Sequence, residues 1–202
     1  DEVFFLEGSS MSILTGERLA LNFMQRMSGI ATLSREYVNA VAGTGVKILD
    51  TRKTTPNLRY FEKWAVKIGG AENHRFGLYD MIMIKDNHID FAGGIEKAID
   101  AANDYLEANN FTVPIEIETR SFDDVQRVIN HGGVQRIMLD NFSVNQVFDA
   151  IDFIAKRVET EVSGGINLDT IRAYAEAQPD FISVGALTHS YTSLDISLKA
   201  ML

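Results

Sequence analysis

Among its 202 residues the chain has no cysteine. That excludes disulfides, thiolate nucleophiles and zinc–thiolate centres. Proline is scarce, at three residues, and tryptophan occurs once. There is no internal repeat, no low-complexity tract, no apolar run long enough to cross a bilayer and no basic-then-apolar leader. These absences give an expected cytosolic address with no membrane partner. Cations are in deficit overall, with 19 Lys and Arg against 28 Asp and Glu, a formal net charge of −9 and a pI near 4.9. A general nucleic-acid binder needs a basic face for phosphate contacts, so no nucleic-acid partner is expected.

What is present is a globular composition, 46% hydrophobic and 23% charged, at a length that fits one sizeable domain. The charge deficit is inverted locally: between Thr51 and Lys85 stand seven Lys or Arg residues against three acids. These bases punctuate the ends of apolar runs. Lys47-Ile48-Leu49-Asp50 stops at Thr51-Arg52-Lys53-Thr54, and Met81-Ile82-Met83-Ile84 stops at Lys85-Asp86-Asn87-His88. Runs without polar alternation suggest strands covered on both faces, as in a parallel sheet. Arg52, Lys53, His74, Arg75 and Lys85 would then gather at the carboxyl ends of strands, where β/α folds bind ligands, and make a site for a small polyanion.

The chain reads as a β/α alternation. A helical stripe over Leu14–Met27 with Thr15 as a cap, an interruption at Ser28-Gly29 and a second helix over Leu33–Val41 precede it. Strands follow near Lys47, Met81, Val113–Glu118, Arg136–Asp140, Val158–Val162 and Phe181–Gly185. Helices are expected over Leu58–Ile68, Gly94–Ala108, Ser121–Asn130, Val144–Lys156 and Asn167–Ala177. Six strands with short helical links imply right-handed crossovers and a parallel sheet, closed as a barrel or doubly wound. The barrel is favoured, because nearly every strand ends in a polar or glycine signal and a barrel collects all six ends at one mouth. Trp64 and the seven methionines read as core filling.

Two carboxylates at successive strand ends, Glu116 or Glu118 and Asp140, offer hard oxygen ligands of the kind magnesium takes alongside substrate phosphates. Ser163-Gly164-Gly165, followed by an expected helix, would expose backbone N–H groups to a phosphate, although the same glycines could serve turn geometry alone. Val184-Gly185-Ala186 is a second small-residue turn beside it. His74, next to Arg75, reads as a ligand contact and His189 as a weaker one.

The order and content of these segments resemble the quinolinate phosphoribosyltransferase family, also called nicotinate-nucleotide pyrophosphorylase (carboxylating). The resemblance is carried by Thr15–Asn22, Ser28–Ala31, Asp50–Thr54, Gly69–Arg75, Ile84–His88, Glu116–Glu118, Leu139–Asn141, Ser163–Gly165 and Val184–Ser190. It implies transfer of phosphoribosyl from 5-phosphoribosyl 1-pyrophosphate to quinolinate with decarboxylation, giving nicotinate mononucleotide, pyrophosphate and carbon dioxide. It also implies an incomplete, TIM-like β/α barrel of about six parallel strands. Residues 1–30 would be the remnant of an N-terminal sandwich domain and its linking helix, with Asp1–Leu6 as a last strand. Residues 31–192 would be the barrel and 193–202 a segment packing back.

By the same resemblance, Lys53, Lys85, Glu116 and Asp140 are the catalytic set, with Glu116 and Asp140 holding Mg²⁺. Arg52, His74 and Arg75 would clamp the quinolinate carboxylates, with Lys53 and Lys85 near the carboxylates and diphosphate. Ser163, Gly164, Gly165 and Gly185 would take the 5-phosphate, with His189 close by. Arg18 would be donated to the neighbouring subunit's site in a homodimer. A nicotinate-using paralogue and a truncated, inactive barrel are the competing readings.

Overall fold

The computed structural model describes residues 1–201. The first nine residues carry no helix or strand, so the strand expected over Asp1–Leu6 does not form; a lone strand has no ladder partner here to take its backbone groups. Helix α1 (Ser10–Ala40) is one element of 31 residues, where an interruption was expected. Gly29 does not break it. A Cβ at Gly29 would lie 2.1 Å from the Thr192 carbonyl oxygen, so the glycine is a contact point for the C-terminal segment. That segment runs back along α1, with Leu194 N–H donating to Gln25 C=O at 3.1 Å and Gln25 Nε2 donating to Ile196 C=O at 2.8 Å. Thr15 is internal to the helix and donates its hydroxyl to Met11 C=O at 2.7 Å, so it is no cap.

The β/α series follows as β1 (Lys47–Leu49), α2 (Arg59–Ile68), β2 (Ile82–Ile84), α3 (Asp86–Ala92), α4 (Ile95–Asn109), β3 (Ile115–Thr119), α5 (Phe122–His131), β4 (Arg136–Asp140), α6 (Val144–Ile154), β5 (Glu159–Ser163), α7 (Ile171–Ala175), β6 (Phe181–Ser183) and α8 (Ala186–His189). The short α3 and α8 were not expected. Helix α7 is shorter than the expected Asn167–Ala177, because Asn167 to Thr170 form a turn in which Asn167 Oδ1 accepts from Asp169 and Thr170 N–H.

All six strands are parallel, in the order β1-β6-β5-β4-β3-β2. This is barrel order cut open between β1 and β2; a doubly wound sheet would place β1 inside the sheet rather than at its edge. The expected incomplete barrel is therefore the architecture. Alternation along β3 sends Ile115 and Ile117 into the apolar layer under the helices, while Glu116 and Glu118 turn the other way, into the barrel. Ile137, Leu139, Val162 and Ile182 fill the same apolar layer with no solvent exposure. Each such side chain contributes about 1.5–3 kcal/mol relative to leaving it in water.

Helix α2 lies against α1 through Gly69, where a Cβ would meet the Ala31 carbonyl at 2.4 Å. Its inner face carries Glu62 and Lys63 together with Ala65 and Val66, all buried, while Trp64 is 52% exposed and so is not core. Among the methionines Met138 is buried, but Met11 and Met201 are mostly exposed.

Candidate functional site

The open seam between β1 and β2 is bridged by Glu72–Arg75. Glu72 pairs with β1, its N–H donating to Ile48 C=O at 2.8 Å and its C=O accepting from Asp50 N–H at 3.1 Å. From there the chain crosses to the other edge, where Arg75 Nη1 donates to Met81 C=O at 3.1 Å. His74 thereby drops into the barrel. Its Nε2 lies 3.0 Å from Glu116 Oε2 on β3 and 3.2 Å from Glu161 Oε2 on β5. Its Nδ1 accepts from the Arg75 N–H at 2.6 Å.

Below this point Arg136 Nη1 approaches Glu161 at 3.4 Å and Glu116 at 4.0 Å, with its guanidinium over the Phe181 ring at 4.0 Å. The four groups form a buried charge cluster at the cavity floor, where His74 and Glu161 reach its lining. Burial alone would lower the His74 pKa, but the two carboxylates outweigh it and raise the pKa to about 9. Burial, with the Glu161 charge beside it, pushes Glu116 up to about 7.

Above the cluster opens a cavity of about 670 Å³ at the carboxyl ends of the strands. Its wall brings together Arg52, Lys53, His74, Arg75, Lys85, Asp140, Ser163, Gly164, Gly165, Gly185 and His189, all expected from the sequence. Glu116 is not in the wall, and Glu118, two residues on, is. The expectation for Glu116 is corrected accordingly: its carboxylate is fully buried with His74 and Arg136, and the carboxylate at the mouth is that of Glu118, paired with Lys85. Burial and the neighbouring Glu118 charge raise the Asp140 pKa above its ordinary value, against the pull of Asn141 and Lys85. Two hard carboxylates that repel each other at a solvent-reached mouth fit a divalent cation such as magnesium.

Arg18 lies on an exposed stretch of α1 and is not in the wall. Glu161, by contrast, is in the wall and was missed; its signal was the run of polar residues at 159, 160 and 161 in a strand buried in a parallel sheet.

On the cationic side, burial and the like charge of Arg52 lower the Arg75 pKa. Arg52 Nε is buried without a hydrogen-bond partner among the described residues. Two guanidiniums thus line one cavity, one of them with an unused donor, a chemistry that suits an anion.

Across the mouth, Gly164 has φ +100° and Gly165 φ +62°. A Cβ at Gly164 would strike Asn141, 2.3 Å from its Oδ1 and 2.7 Å from its backbone nitrogen. A Cβ at Gly185 would lie 3.0 Å from His189 Nε2 and 3.3 Å from Lys53 Cδ. Gly164 is therefore required by both close approach and conformation, and Gly185, whose backbone is ordinary, by close approach alone. Thr188, buried, donates to Lys53 C=O at 2.9 Å and ties the β6 turn to the β1 loop.

Fold and site together define a β/α-barrel protein whose mouth is cationic on the β1–β2 side and glycine-rich on the β5–β6 side. The chain belongs to the quinolinate phosphoribosyl transferase family, whose C-terminal domain matches residues 30–199. It is 45% identical over 208 residues to a mitochondrial quinolinate phosphoribosyltransferase (decarboxylating) of Nicotiana tabacum, covering 96% of this chain and 59% of that protein. It is also 45% identical to a probable nicotinate-nucleotide pyrophosphorylase (carboxylating) of Bacillus subtilis, over 98% of this chain and 67% of that protein. NadC from Streptococcus pyogenes superposes with a TM-score of 0.90 at 48% identity, over 96% of this chain and 66% of that one. The chain thus spans about three-fifths to two-thirds of the length of these relatives. No helix among the described residues is long and apolar enough to cross a membrane.

Proposed function

We propose that this chain carries the site at which quinolinate attacks 5-phosphoribosyl 1-pyrophosphate, giving nicotinate mononucleotide, pyrophosphate and carbon dioxide in the synthesis of NAD. The observation that carries the reading is that Arg52 and Arg75 line one cavity, Arg52 with an unused buried donor, since two guanidiniums there suit a dianion with adjacent carboxylates. Quinolinate is such an anion, and a monocarboxylate such as nicotinate would leave one guanidinium unmatched.

In this reading Arg52 and Arg75 hold the two carboxylates and set the ring nitrogen in line with the anomeric carbon. The backbone N–H groups of the Ser163–Gly165 and Gly185 turns take the 5-phosphate, with His189 beside them. Lys53 and Lys85 stabilise charge as diphosphate leaves. Glu118 and Asp140 would hold Mg²⁺, which supplies charge neutralisation to the diphosphate when bound. The ring nitrogen needs no base, so these residues act by positioning and charge stabilisation. After transfer, the positive ring nitrogen stabilises the carbanion left when the adjacent carboxylate departs as carbon dioxide.

A homodimer in which Arg18 reaches the neighbouring cavity belongs to the same proposal, supported by the exposed position of Arg18 and the apolar side chains of Met11, Leu14 and Leu19 left exposed on the same helix. Incubation with quinolinate, phosphoribosyl pyrophosphate and Mg²⁺ should release carbon dioxide and nicotinate mononucleotide. Preference for nicotinate, or no turnover, would overturn the assignment. Mixing Arg18→Ala chains with Lys85→Ala chains should restore part of the activity if the site is shared between subunits.

A further inference from the structure

The expected role of His74 as a direct clamp on substrate conflicts with where its nitrogens point. Nδ1 is taken by the Arg75 N–H, and Nε2 faces two carboxylates, 3.0 Å from Glu116 and 3.2 Å from Glu161, so ionic contacts hold that edge of the ring. Neither carboxylate lies along the N–H direction well enough for a good hydrogen bond, so His74 Nε2, Glu161 Oε1 and both Glu116 oxygens lack aligned partners among the described residues. Two buried carboxylates persist only against buried positive charge, which here is His74 from the seam and Arg136 from below. The ring therefore works as a latch that pulls the Glu72–Arg75 segment into the barrel. Arg75 is the next residue, with its backbone N–H fixed to that ring and its guanidinium on the cavity wall.

We propose that Glu161 is a positioning residue: with Glu116 it holds the His74 ring across the β1–β2 seam and so sets the direction of the Arg75 guanidinium toward the dianion. Of the two carboxylates Glu161 is the one to test, because it alone reaches the cavity wall. The inference rests on the reading of the cavity as a quinolinate site.

The test is a double-mutant cycle on the full chain, combining Glu161→Ala with Arg75→Ala. Quinolinate affinity is read by calorimetry, and KM is measured separately for quinolinate and for phosphoribosyl pyrophosphate. Glu161→Ala should weaken quinolinate about tenfold or more, as misplacing a positioning group does. It should leave the phosphoribosyl pyrophosphate KM within about twofold. In the Arg75→Ala background it should add little, because the group it positions is already gone. Glu161→Gln, which keeps an acceptor oxygen but not the charge, should lose less than Glu161→Ala. Should the alanine variant fail to fold, the cycle is run with glutamine and the same non-additivity is expected. Additive losses, equal damage to both substrates, or unchanged quinolinate binding by a folded variant would overturn the inference alone. No quinolinate binding by the unmodified chain would overturn the functional reading and this inference with it.

Discussion

Lys63 on α2 and Asp50 at the end of β1 form an ion pair sealed from solvent. Asp50 also accepts from Asn73 Nδ2 at 2.6 Å and from the His74 N–H at 2.9 Å, while Lys63 donates to His74 C=O at 3.0 Å. One carboxylate thus joins β1, α2 and the seam segment. Burial raises the Asp50 pKa and lowers that of Lys63, each opposed by the partner's charge.

Removing one member should therefore be costly. Lys63→Met leaves Asp50 buried without its cation, and such breaks cost about 3–5 kcal/mol. Urea unfolding of the variant measures this. A loss under about 1 kcal/mol would mean that Asp50 had found another partner or water.

Arg75→Ala removes one of the two guanidiniums that define the anion site. Loss of a charge-assisted hydrogen bond costs roughly 1.5–3 kcal/mol, so quinolinate affinity should fall about ten- to a hundredfold. Unchanged affinity by calorimetry would take Arg75 out of the site.

Gly164→Ala forces a Cβ against Asn141 at a backbone conformation that L-residues rarely adopt. Such strain costs about 1–3 kcal/mol. The turn should yield by moving its N–H groups, so inorganic phosphate and phosphoribosyl pyrophosphate should weaken while quinolinate binding by the folded variant changes little. Separate titrations of the ligands check this.

The charge cluster at the floor predicts an alkaline weakness. The His74 pKa is raised to about 9 in the folded chain against 6.5 as its ordinary value. Its stabilisation is therefore complete below about pH 6.5 and is lost as pH rises through about 9. Glu116, raised from 4.5 to about 7, has the same sign but acts at lower pH, giving up its stabilisation as pH rises from about 4.5 through 7. Thermal unfolding should show Tm falling across the His74 window, and His74→Gln should flatten the slope. An unchanged slope would mean that the cluster titrates together with solvent-exposed groups.

Gly29→Ala should detach the C-terminal segment rather than break α1, because alanine suits a helix but its Cβ would strike the Thr192 carbonyl. The expected signature is faster hydrogen exchange at Leu194, whose N–H is held by Gln25, with α1 still protected. Equal exposure of both would show that the two do not separate.

Much of this was legible in the linear order of residues. Strand runs ending in Arg52-Lys53, Lys85, Glu118, Asp140, Ser163-Gly164-Gly165 and Gly185 marked six strands and one mouth, since a strand's polarity pattern and its terminating residue are local properties. What the order of residues could not decide was how deep in the barrel a given side chain sits. Glu116 and Glu118 stand on the same face of β3, and only their depth in the barrel separates a buried counter-ion from a carboxylate at the mouth. Ser28-Gly29 signals a break until Thr192 is seen against it.

The residues by themselves therefore determined the six barrel strands, their sequence along the chain and the cationic and glycine-rich character of the strand ends. Tertiary structure alone decided that Glu161 and Glu116 meet His74 across an open seam. Charges 42 to 87 positions apart interact only once burial strips away the water that would otherwise screen them, and burial is a property of the folded barrel.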